Sequence, residues 1–414
     1  MLAWAGVAAA EEKGGGARGD TLVFSPAGAD TSTTVPVPDE NTPPPRAPRG
    51  ELLLTDTDTW HWWGGARNRL RAIVDYNRVD RLRLGLGYQV RMPKTLYPRI
   101  GARIEYPFDR DITQYAVQLE QPIVNPSSLA IGASMVRRTD HSELQQVEDE
   151  ENSLNLLLAK LDYRDYWERE GFGAYAVYRI PHVTTVSAQV RRDSYRSLAL
   201  IPGTRSWFFR DRPLRDNPAI DDGEGHLMSL RLEHLAHPIE RLRPGIHHWI
   251  DLERAGHGMG GDFDYTRLVS DVRSVLRLSP ATTLALRGVL GHTFDGTLPV
   301  QRRFPLGGPD GLRAHEIAQF HGSEITLAQA EYTIGLPRLR SEYFEGGLHA
   351  IAFVESGVAW DNPGHSFDVD RQRFETDGGF GLGTTEDHLR VYFAKDLHRA
   401  DSDFVMTVRL TRPF

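Results

Sequence analysis

The sequence contains no cysteine among its 414 residues, and this absence excludes disulfides, thiolate metal sites and cysteine nucleophiles. It also lacks any apolar run near the length of about 18 residues that a membrane helix requires, and hydrophobic residues make up only 40% of the chain. A helical membrane protein is therefore excluded. A membrane barrel is not, because each of its strands needs only about 9–11 residues and half of those face a polar lumen.

An excess of positive charge is also missing. Lys and Arg number 48 against 56 Asp and Glu, which gives a formal net charge of -8. No basic footprint is available for nucleic acid, so a nucleic-acid partner is not expected. The chain is long for one soluble domain, whereas a large closed barrel accommodates this length as a single domain.

The N-terminal region has little that could form a core. Residues 1–50 are rich in Gly, Pro, Thr and Asp, which predicts a disordered lead; this lead would be periplasmic if a membrane barrel follows. Its apolar start, Met1–Ala10, is either a truncated signal peptide or simply disordered, since no basic residues precede it. Residues 51–68 form an aromatic segment, and ahead of a barrel its tryptophans would either anchor at the membrane interface or cap the barrel.

Residues 69–414 show a strict alternation of apolar and polar side chains. In the first such stretch one face carries Leu82, Leu84, Leu86, Tyr88 and Val90. The other face carries Arg81, Arg83, Gln89 and Arg91. Because successive side chains of a strand point to opposite faces, this period of two predicts β-strands, and it recurs through 99–106, 114–120, 228–233 and 267–278.

The connections between these strands alternate in length. The short ones lie near 92–96, 125–127, 181–182, 237–244, 279–281 and 386–388. The long ones span 139–170, 197–225, 295–322 and 361–374. Short turns on one side and long loops on the other are typical of an outer-membrane barrel. The sequence therefore predicts an all-β fold, a transmembrane antiparallel barrel of about sixteen strands with both termini in the periplasm; fourteen strands is the open alternative.

One long loop has an unusual composition. Arg302–His315 contains three glycines and two prolines, and after the two arginines that open it Arg313 is the one arginine of the turn, a composition that favours neither helix nor strand. Downstream, the strand-like run His349–Trp360 carries one acid, Glu355. An isolated carboxylate on a β-surface costs several kcal/mol unless it is paired, so Arg313 and Glu355 are predicted partners.

A set of motif residues follows from this loop and the strands after it: Gly307, Gly308, Gly311, Leu312, Arg313, Phe353, Glu355 and Gly357. Together with the later Gly379-x-Gly381-x-Gly383, this pattern resembles the C-terminal half of the BamA/TamA superfamily of outer-membrane assembly barrels, the bacterial surface antigen barrel. The resemblance implies that the extracellular loop folds into the barrel lumen, where its arginine meets an acid on the next-but-one strand. Ala314 and His315 depart from the family, which usually has a glycine and an aromatic residue there.

The C-terminal strand carries a second family-like signal. One face of it holds Phe404, Met406, Val408, Leu410 and the terminal Phe414. An aromatic terminus in phase with an apolar stripe resembles the insertion signal of bacterial outer-membrane barrels. Pro413 is atypical there, because it has no N–H to donate to the ladder.

Two outer loops carry further features. Val147–Glu170 has leucines at helical spacing behind an acidic start, which predicts a short amphipathic helix that packs over the barrel mouth. A partner-binding helix is the alternative. In the next outer loop an aromatic cluster, Trp207–Phe209, is predicted to pack against this helix as a lid.

The sequence gives little support for catalysis or metal binding. The neighbouring His247 and His248 point to opposite faces of a strand, so they cannot ligate one ion together. No G-x-S-x-G motif is present. We therefore expect no enzyme activity, no cofactor and no metal site.

The family resemblance implies a protein that assists the insertion or translocation of proteins, or of lipids, at the Gram-negative outer membrane. Expected partners are outer-membrane lipid and unfolded outer-membrane clients, and the chain is expected to be a monomer. Family members usually carry periplasmic domains of about 75 residues each, and the about 68 residues before the first strand predict no such domain. A passive or gated pore, or a surface platform without assembly activity, is the alternative function.

Overall fold

The computed structural model describes residues 68–90, 96–124, 128–180, 184–235, 244–336, 339–341, 344–364, 366–384 and 389–410. All of these residues belong to one compact unit. The predictions for residues 1–50 lie outside the described residues, as do those for 51–68 except at Asn68.

The described residues form twenty strands and one α-helix. The strands are β1 (Asn68–Asn77), β2 (Arg81–Val90), β3 (Arg99–Pro107), β4 (Gln114–Pro122), β5 (Leu129–His141), β6 (Tyr166–Ile180), β7 (Thr184–Ser197), β8 (Gly223–His234), β9 (Gly245–Ala255), β10 (Tyr265–Ser279), β11 (Thr282–Gly296), β12 (Phe304–Leu306), β13 (Phe320–Gly322), β14 (Glu324–Gly335), β15 (Leu339–Ser341), β16 (Phe344–Gly346), β17 (Leu348–Trp360), β18 (Glu375–Thr384), β19 (Arg390–Asp396) and β20 (Val405–Arg409). The helix α1 (Asp149–Ala159) lies between β5 and β6.

Sixteen of the strands form one antiparallel sheet in chain order, with β1 at one end and β20 at the other. Each strand pairs with its neighbours in sequence, except that the order passes from β11 to β14 and then to β17. The four omitted strands form two small hairpins, β12 with β13 and β15 with β16. The prediction of about sixteen antiparallel strands is confirmed, and the alternative of fourteen is wrong. Among the described residues, no helix is long and apolar enough to cross a membrane.

The sheet exposes its apolar face and buries its polar face. Leu84 and Leu86 are 40% and 54% exposed, whereas Arg83 and Glu105 on the opposite face are 5% and 1% exposed. A soluble protein arranges these faces the other way, because burial of apolar surface drives its folding. An exposed apolar face is stable only against an apolar surrounding, as a barrel has in lipid.

The connection between β11 and β14 contacts strands that are far apart in the order of the sheet. It reaches β7 through Arg302, whose Nη2 lies 2.9 Å from the Tyr195 hydroxyl. It reaches β20 through Asp310, whose Oδ1 lies 3.1 Å from Arg409 Nη1. One connection therefore links the middle of the strand order to its end on the polar face.

Ion pairs neutralise much of the buried polar face. Arg83 lies between two acids, with Nη2 2.8 Å from Asp75 and Nε 2.9 Å from Glu105. On the opposite part of the sheet Arg273 and Asp271 are 2.9 Å apart. Because buried charges are costly unless paired, these contacts keep the polar face compatible with burial.

Candidate functional site

The glycine-rich loop, Arg302–His315, adopts a compact fold that depends on two glycines. Gly307 and Gly308 have φ values of +117° and +85°, in the region that favours glycine over residues with a Cβ. The turn is closed by hydrogen bonds from the Gly308 N–H to the Leu312 carbonyl, 3.0 Å, and from the Ala318 N–H to the Gly307 carbonyl, 3.3 Å. A Cβ on Gly307 would collide with the Glu316 carbonyl. The loop is therefore a defined structure that presents Leu312 and Arg313 to the sheet.

The structure brings the two predicted partners, Arg313 and Glu355, together. Arg313 Nη1 lies 3.4 Å from Glu355 Oε2, and both residues are 1% exposed. The pair does not form the two-bond fork that arginine often makes with a carboxylate. Glu355 instead accepts the backbone N–H of Arg313 and the side-chain amide of Gln329, the latter at 2.8 Å. The register also places Gln329 directly opposite Glu355.

The Arg313 guanidinium packs against two aromatic rings that meet at an interplanar angle of 83° and that the sequence did not single out as a pair. Its carbon is 4.5 Å from the centre of the Phe353 ring and 4.4 Å from that of Tyr392. A second acid, Glu331, approaches Arg313 Nη2 at 3.6 Å. Cation–π contacts of this kind are worth about 2 kcal/mol when desolvated. The arginine is thus held by rings and by two carboxylates, and not by one partner alone.

Glycines on the neighbouring strands make room for these groups. A Cβ on Gly379 would meet the Phe353 ring at 2.7 Å, and one on Gly381 would meet Tyr392 Cδ1 at 3.1 Å. A Cβ on Gly357 would lie 3.4 Å from Leu306 of the loop hairpin. The glycine pattern of the sequence therefore accommodates the rings and the loop on the polar face.

Next to Arg313, three carboxylates lie in one row across the sheet. Glu355 of β17 pairs with Asp377 of β18, and Asp377 pairs with Asp396 of β19. The Ala314 N–H donates to Asp377 Oδ2 at 2.7 Å, and a hydrogen bond to the same carboxylate raises the pKa of His315. The departure from the family motif at Ala314 and His315 thus places an imidazole beside this row.

The helix α1 contacts both edges of the sixteen-stranded order. The Ser153 hydroxyl donates to Asp75 of β1 at 2.7 Å and accepts the Tyr76 N–H at 2.9 Å. Two residues earlier on the helix, Glu151 accepts from Arg409 Nε of β20 at 2.7 Å. Glu151 and Arg409 are each 1% exposed. One helix therefore holds the first and the last strand within reach of each other.

Asp310 joins the glycine-rich loop to this arrangement. Its Oδ2 accepts the backbone N–H groups of Gln146 and Val147, at 2.7 and 3.0 Å, just ahead of α1. Its Oδ1 contacts Arg409 at 3.1 Å. We name Glu151, Ser153 and Asp310, with their partners Asp75 and Arg409, the seam clasp.

The helix predicted within Val147–Glu170 is present, but the face that it buries differs from the prediction. Its buried residues are Glu151, Asn152, Ser153 and Leu156, while Leu154 of the predicted apolar stripe is 37% exposed. The helix lies against a polar surface, so its polar side is the buried one. The aromatic cluster runs alongside it, because Trp207 donates its backbone N–H to the Leu157 carbonyl at 2.7 Å. The segment therefore packs against the helix as predicted, but through its backbone, and its rings do not form a lid: Trp207, Phe208 and Phe209 are 67%, 61% and 62% exposed.

The last strand has the predicted alternation over its described part. Phe404 and Met406 are 56% and 61% exposed, whereas Thr407 and Arg409 are 6% and 1% exposed. Val408 and Leu410 are partly exposed, and Phe414 lies outside the described residues. The role of this stripe as an insertion signal stays a prediction.

The functional residues that sequence reasoning missed share one signal. Glu331, Asp377, Tyr392 and Arg409 each carry polar atoms at positions in phase with the buried face of their strand. Period-two counting assigns them to the polar face. It does not show which of these side chains contact each other, because such contacts depend on strand register and on the path of the whole sheet.

Comparisons with known proteins identify the fold. BamA from Haemophilus ducreyi, in a crystal structure lacking POTRA domains 1-3, aligns over 83% of this chain and 70% of that chain with a TM-score of 0.54 and 13% identity. CdiB from Acinetobacter baumannii and CdiB from Escherichia coli have TM-scores of 0.44 and 0.47 at 13% identity. They align over 82% and 84% of this chain, which spans less than two thirds of each of them, 59% and 62%.

No family model matches the sequence. No curated protein matches it either. At 13% identity the likeness to BamA concerns the fold, and the predicted resemblance to BamA-type barrels is confirmed at that level.

Proposed function

We propose that this chain, which has the fold of the BamA-type outer-membrane barrels, assists the insertion or translocation of client proteins at the bacterial outer membrane. The single observation that carries the proposal is the seam clasp, in which one helix contacts both the first and the last strand of the sheet. A protein that passes clients laterally into a membrane needs an edge strand that is held by specific contacts and becomes available for pairing when those contacts break.

The exposed apolar face supports the location. The exposed leucines on β2 and isoleucines on β3 would be unfavourable in water but are suited to contact with lipid chains, and the buried polar face needs no such contact. Outer-membrane lipid is accordingly the first partner of this chain.

The edges of a sheet explain why a seam matters. An edge strand presents unpaired N–H and C=O groups to any extended segment that approaches, and such a segment can add to the sheet as a new strand. A client strand would use this route at β1 or β20. Before it can do so, the contacts of Glu151 with Arg409, or of Ser153 with Asp75, must break.

The glycine-rich loop would couple to this seam. Asp310 belongs to the loop and also contacts Arg409, while Arg313, three residues further on, is held against β14, β17 and β19. Anchoring of the loop by Arg313 therefore keeps Asp310 in position at the last strand. Loss of the anchor would disrupt the loop and with it the arrangement at the last strand that a client meets, whereas a change confined to the helix side of the seam clasp would only ease opening of the seam.

The decisive experiment measures how fast an unrelated outer-membrane barrel folds into lipid vesicles, with and without this protein reconstituted. We expect acceleration by the wild-type protein and by an Arg192→Ala control, whose ion pair with Glu224 is exposed on both sides. We expect little acceleration by Arg313→Ala. Folding of each variant is checked first by its heat-modifiable migration on gels.

The absence of any acceleration by the wild-type protein would overturn the proposal. Conductance of the same vesicles then distinguishes the alternatives. A measurable conductance would favour a passive or gated pore, and sealed vesicles would favour a surface platform.

A further inference from the structure

We propose that His315, Asp377 and Asp396 form a binding site for a divalent transition-metal ion that ties the glycine-rich loop to β18 and β19. Each of the three side chains offers one ligand atom, and these atoms all lie within 4.8 Å of one another. The inference is independent of the activity proposed above.

The spacing of the atoms suits a small cation. His315 Nδ1 lies 3.2 Å from Asp377 Oδ1. In a tetrahedral site with bonds of about 2.0–2.2 Å, neighbouring ligand atoms are about 3.3–3.6 Å apart. The register places Asp396 directly opposite Asp377 on the same face of the sheet, so the third ligand approaches from the neighbouring strand.

One buried oxygen of the row accepts no hydrogen bond. The two outer carboxylates of the row each lie within 4 Å of an arginine, Arg313 or Arg399. The central residue, Asp377, is fully buried, and among the described residues its Oδ1 has no hydrogen-bond partner, although His315 Nδ1 lies 3.2 Å from it. An ion bound by both atoms would compensate the cost of burying that carboxylate oxygen without a donor.

A second group of ligands lies beside the first and shares Asp396 with it. His398 Nδ1 is 3.9 Å from Asp396 Oδ1 and 3.9 Å from Glu375 Oε2. His398 and Glu375 are more exposed, with side chains 37% and 27% accessible. An ion can therefore approach from solvent through this outer pair and be passed to the buried site by the shared carboxylate.

The donor set selects the class of ion. One imidazole nitrogen and two carboxylates suit Zn²⁺ and its first-row neighbours, whereas Ca²⁺ and Mg²⁺ prefer sites made of oxygen alone. The ion would hold the glycine-rich loop through His315, the last residue of that loop. Its role is structural, because it would crosslink the loop to two strands.

The test uses the full chain, purified without a histidine tag, folded in detergent micelles and treated with a chelator. Bound zinc is measured by elemental analysis after equilibrium dialysis against Zn²⁺, with Ca²⁺ and Mg²⁺ in parallel. We expect one tightly bound zinc per chain. In His315→Gln and Asp396→Asn the affinity should fall more than about 100-fold, beyond the 10–100-fold that loss of an outer-shell group causes.

His292→Gln is the matched control. His292 Nδ1 also meets a buried carboxylate, Glu324, at 2.7 Å, but among the described residues it belongs to neither ligand group. Its zinc binding should equal that of the wild type. If either ligand variant does not fold, Co²⁺ added to the wild type gives a second readout, since d–d absorption of a low-symmetry site reports nitrogen and oxygen ligation directly.

Three results would overturn the proposal. One is wild-type protein that binds no zinc after dialysis. Another is zinc binding that survives unchanged in both ligand variants. The third is an equal loss in the His292→Gln control, which would indicate nonspecific binding by histidines.

Discussion

Glu151 of α1 and Arg409 of the last strand form a buried ion pair, with 2.7 Å between Oε1 and Nε and each side chain 1% exposed. The two residues are far apart in sequence, and their contact closes the gap between an outer loop and the end of the chain. Because Ser153 on the same helix binds β1, this pair determines how firmly the two edges of the sheet are held.

Weakening this pair should ease opening of the seam. In Glu151→Gln the amide retains the size of the side chain but removes its charge, and breaking a buried pair costs about 3–5 kcal/mol. We expect lower stability towards denaturant, together with faster client folding in the vesicle assay. Glu150→Gln, an exposed neighbour on the same helix, is the control and should change neither quantity. Unchanged stability in Glu151→Gln would contradict a clasp at this position.

Substitutions of Arg313 test whether the shape or the charge of its guanidinium holds the glycine-rich loop. Arg313→Lys keeps the positive charge but loses the flat guanidinium between Phe353 and Tyr392, so we expect it to destabilise the protein less than Arg313→Ala. The alanine variant leaves buried carboxylates without their cation and should lose about 3–5 kcal/mol. Denaturant unfolding of both variants in micelles provides the measurement.

A double variant separates these contributions further. In Arg313→Ala with Glu355→Gln, the unpaired charge is removed as well, so part of the loss should be recovered through the coupling of adjacent residues. Strict additivity of the two single changes would show that the pair does not interact in the folded protein.

Much of the sheet could be predicted from sequence. Each strand has one face towards an apolar environment and one towards a polar environment, so apolar and polar side chains alternate along it. That Leu84 and Arg83 lie on opposite faces follows from the period of two within β2 alone. The contact of Arg313 with Glu355 could also be predicted. Arg313 lies in a glycine-rich turn, and Glu355 is the one acid of a strand-like run of mostly apolar and small residues.

The rest depended on long-range geometry. That Tyr392 covers Arg313, or that Asp310 meets Arg409, follows from strand register and curvature summed over the whole sheet. The buried face of α1 was predicted wrongly for a different reason. The usual rule assumes an apolar core, whereas this helix packs against ionised and amide side chains.

Backbone conformation in the glycine-rich loop gives another prediction. Gly307→Ala places a Cβ at φ +117° and against the Glu316 carbonyl, so we expect a loss of about 1–3 kcal/mol and faster protease cleavage within the loop. Gly288→Ala is the control, because no atom lies within 4 Å of its added Cβ. Equal protease rates for the two variants would show that the loop does not need the observed turn.

The apolar face can be tested by placing charge on it. Leu86 is 54% exposed on β2, and in water Leu86→Arg would be nearly neutral. In a bilayer it should cost about 2–4 kcal/mol if this position lies near the midplane. Leu154→Arg, at a 37% exposed leucine on α1, is the matched control and should stay within about 0.5 kcal/mol. The measurement is the unfolding free energy in lipid vesicles. A small and equal effect of both changes would mean that the exposed leucines of β2 do not contact lipid, and would remove the physical basis for placing the sheet in a membrane.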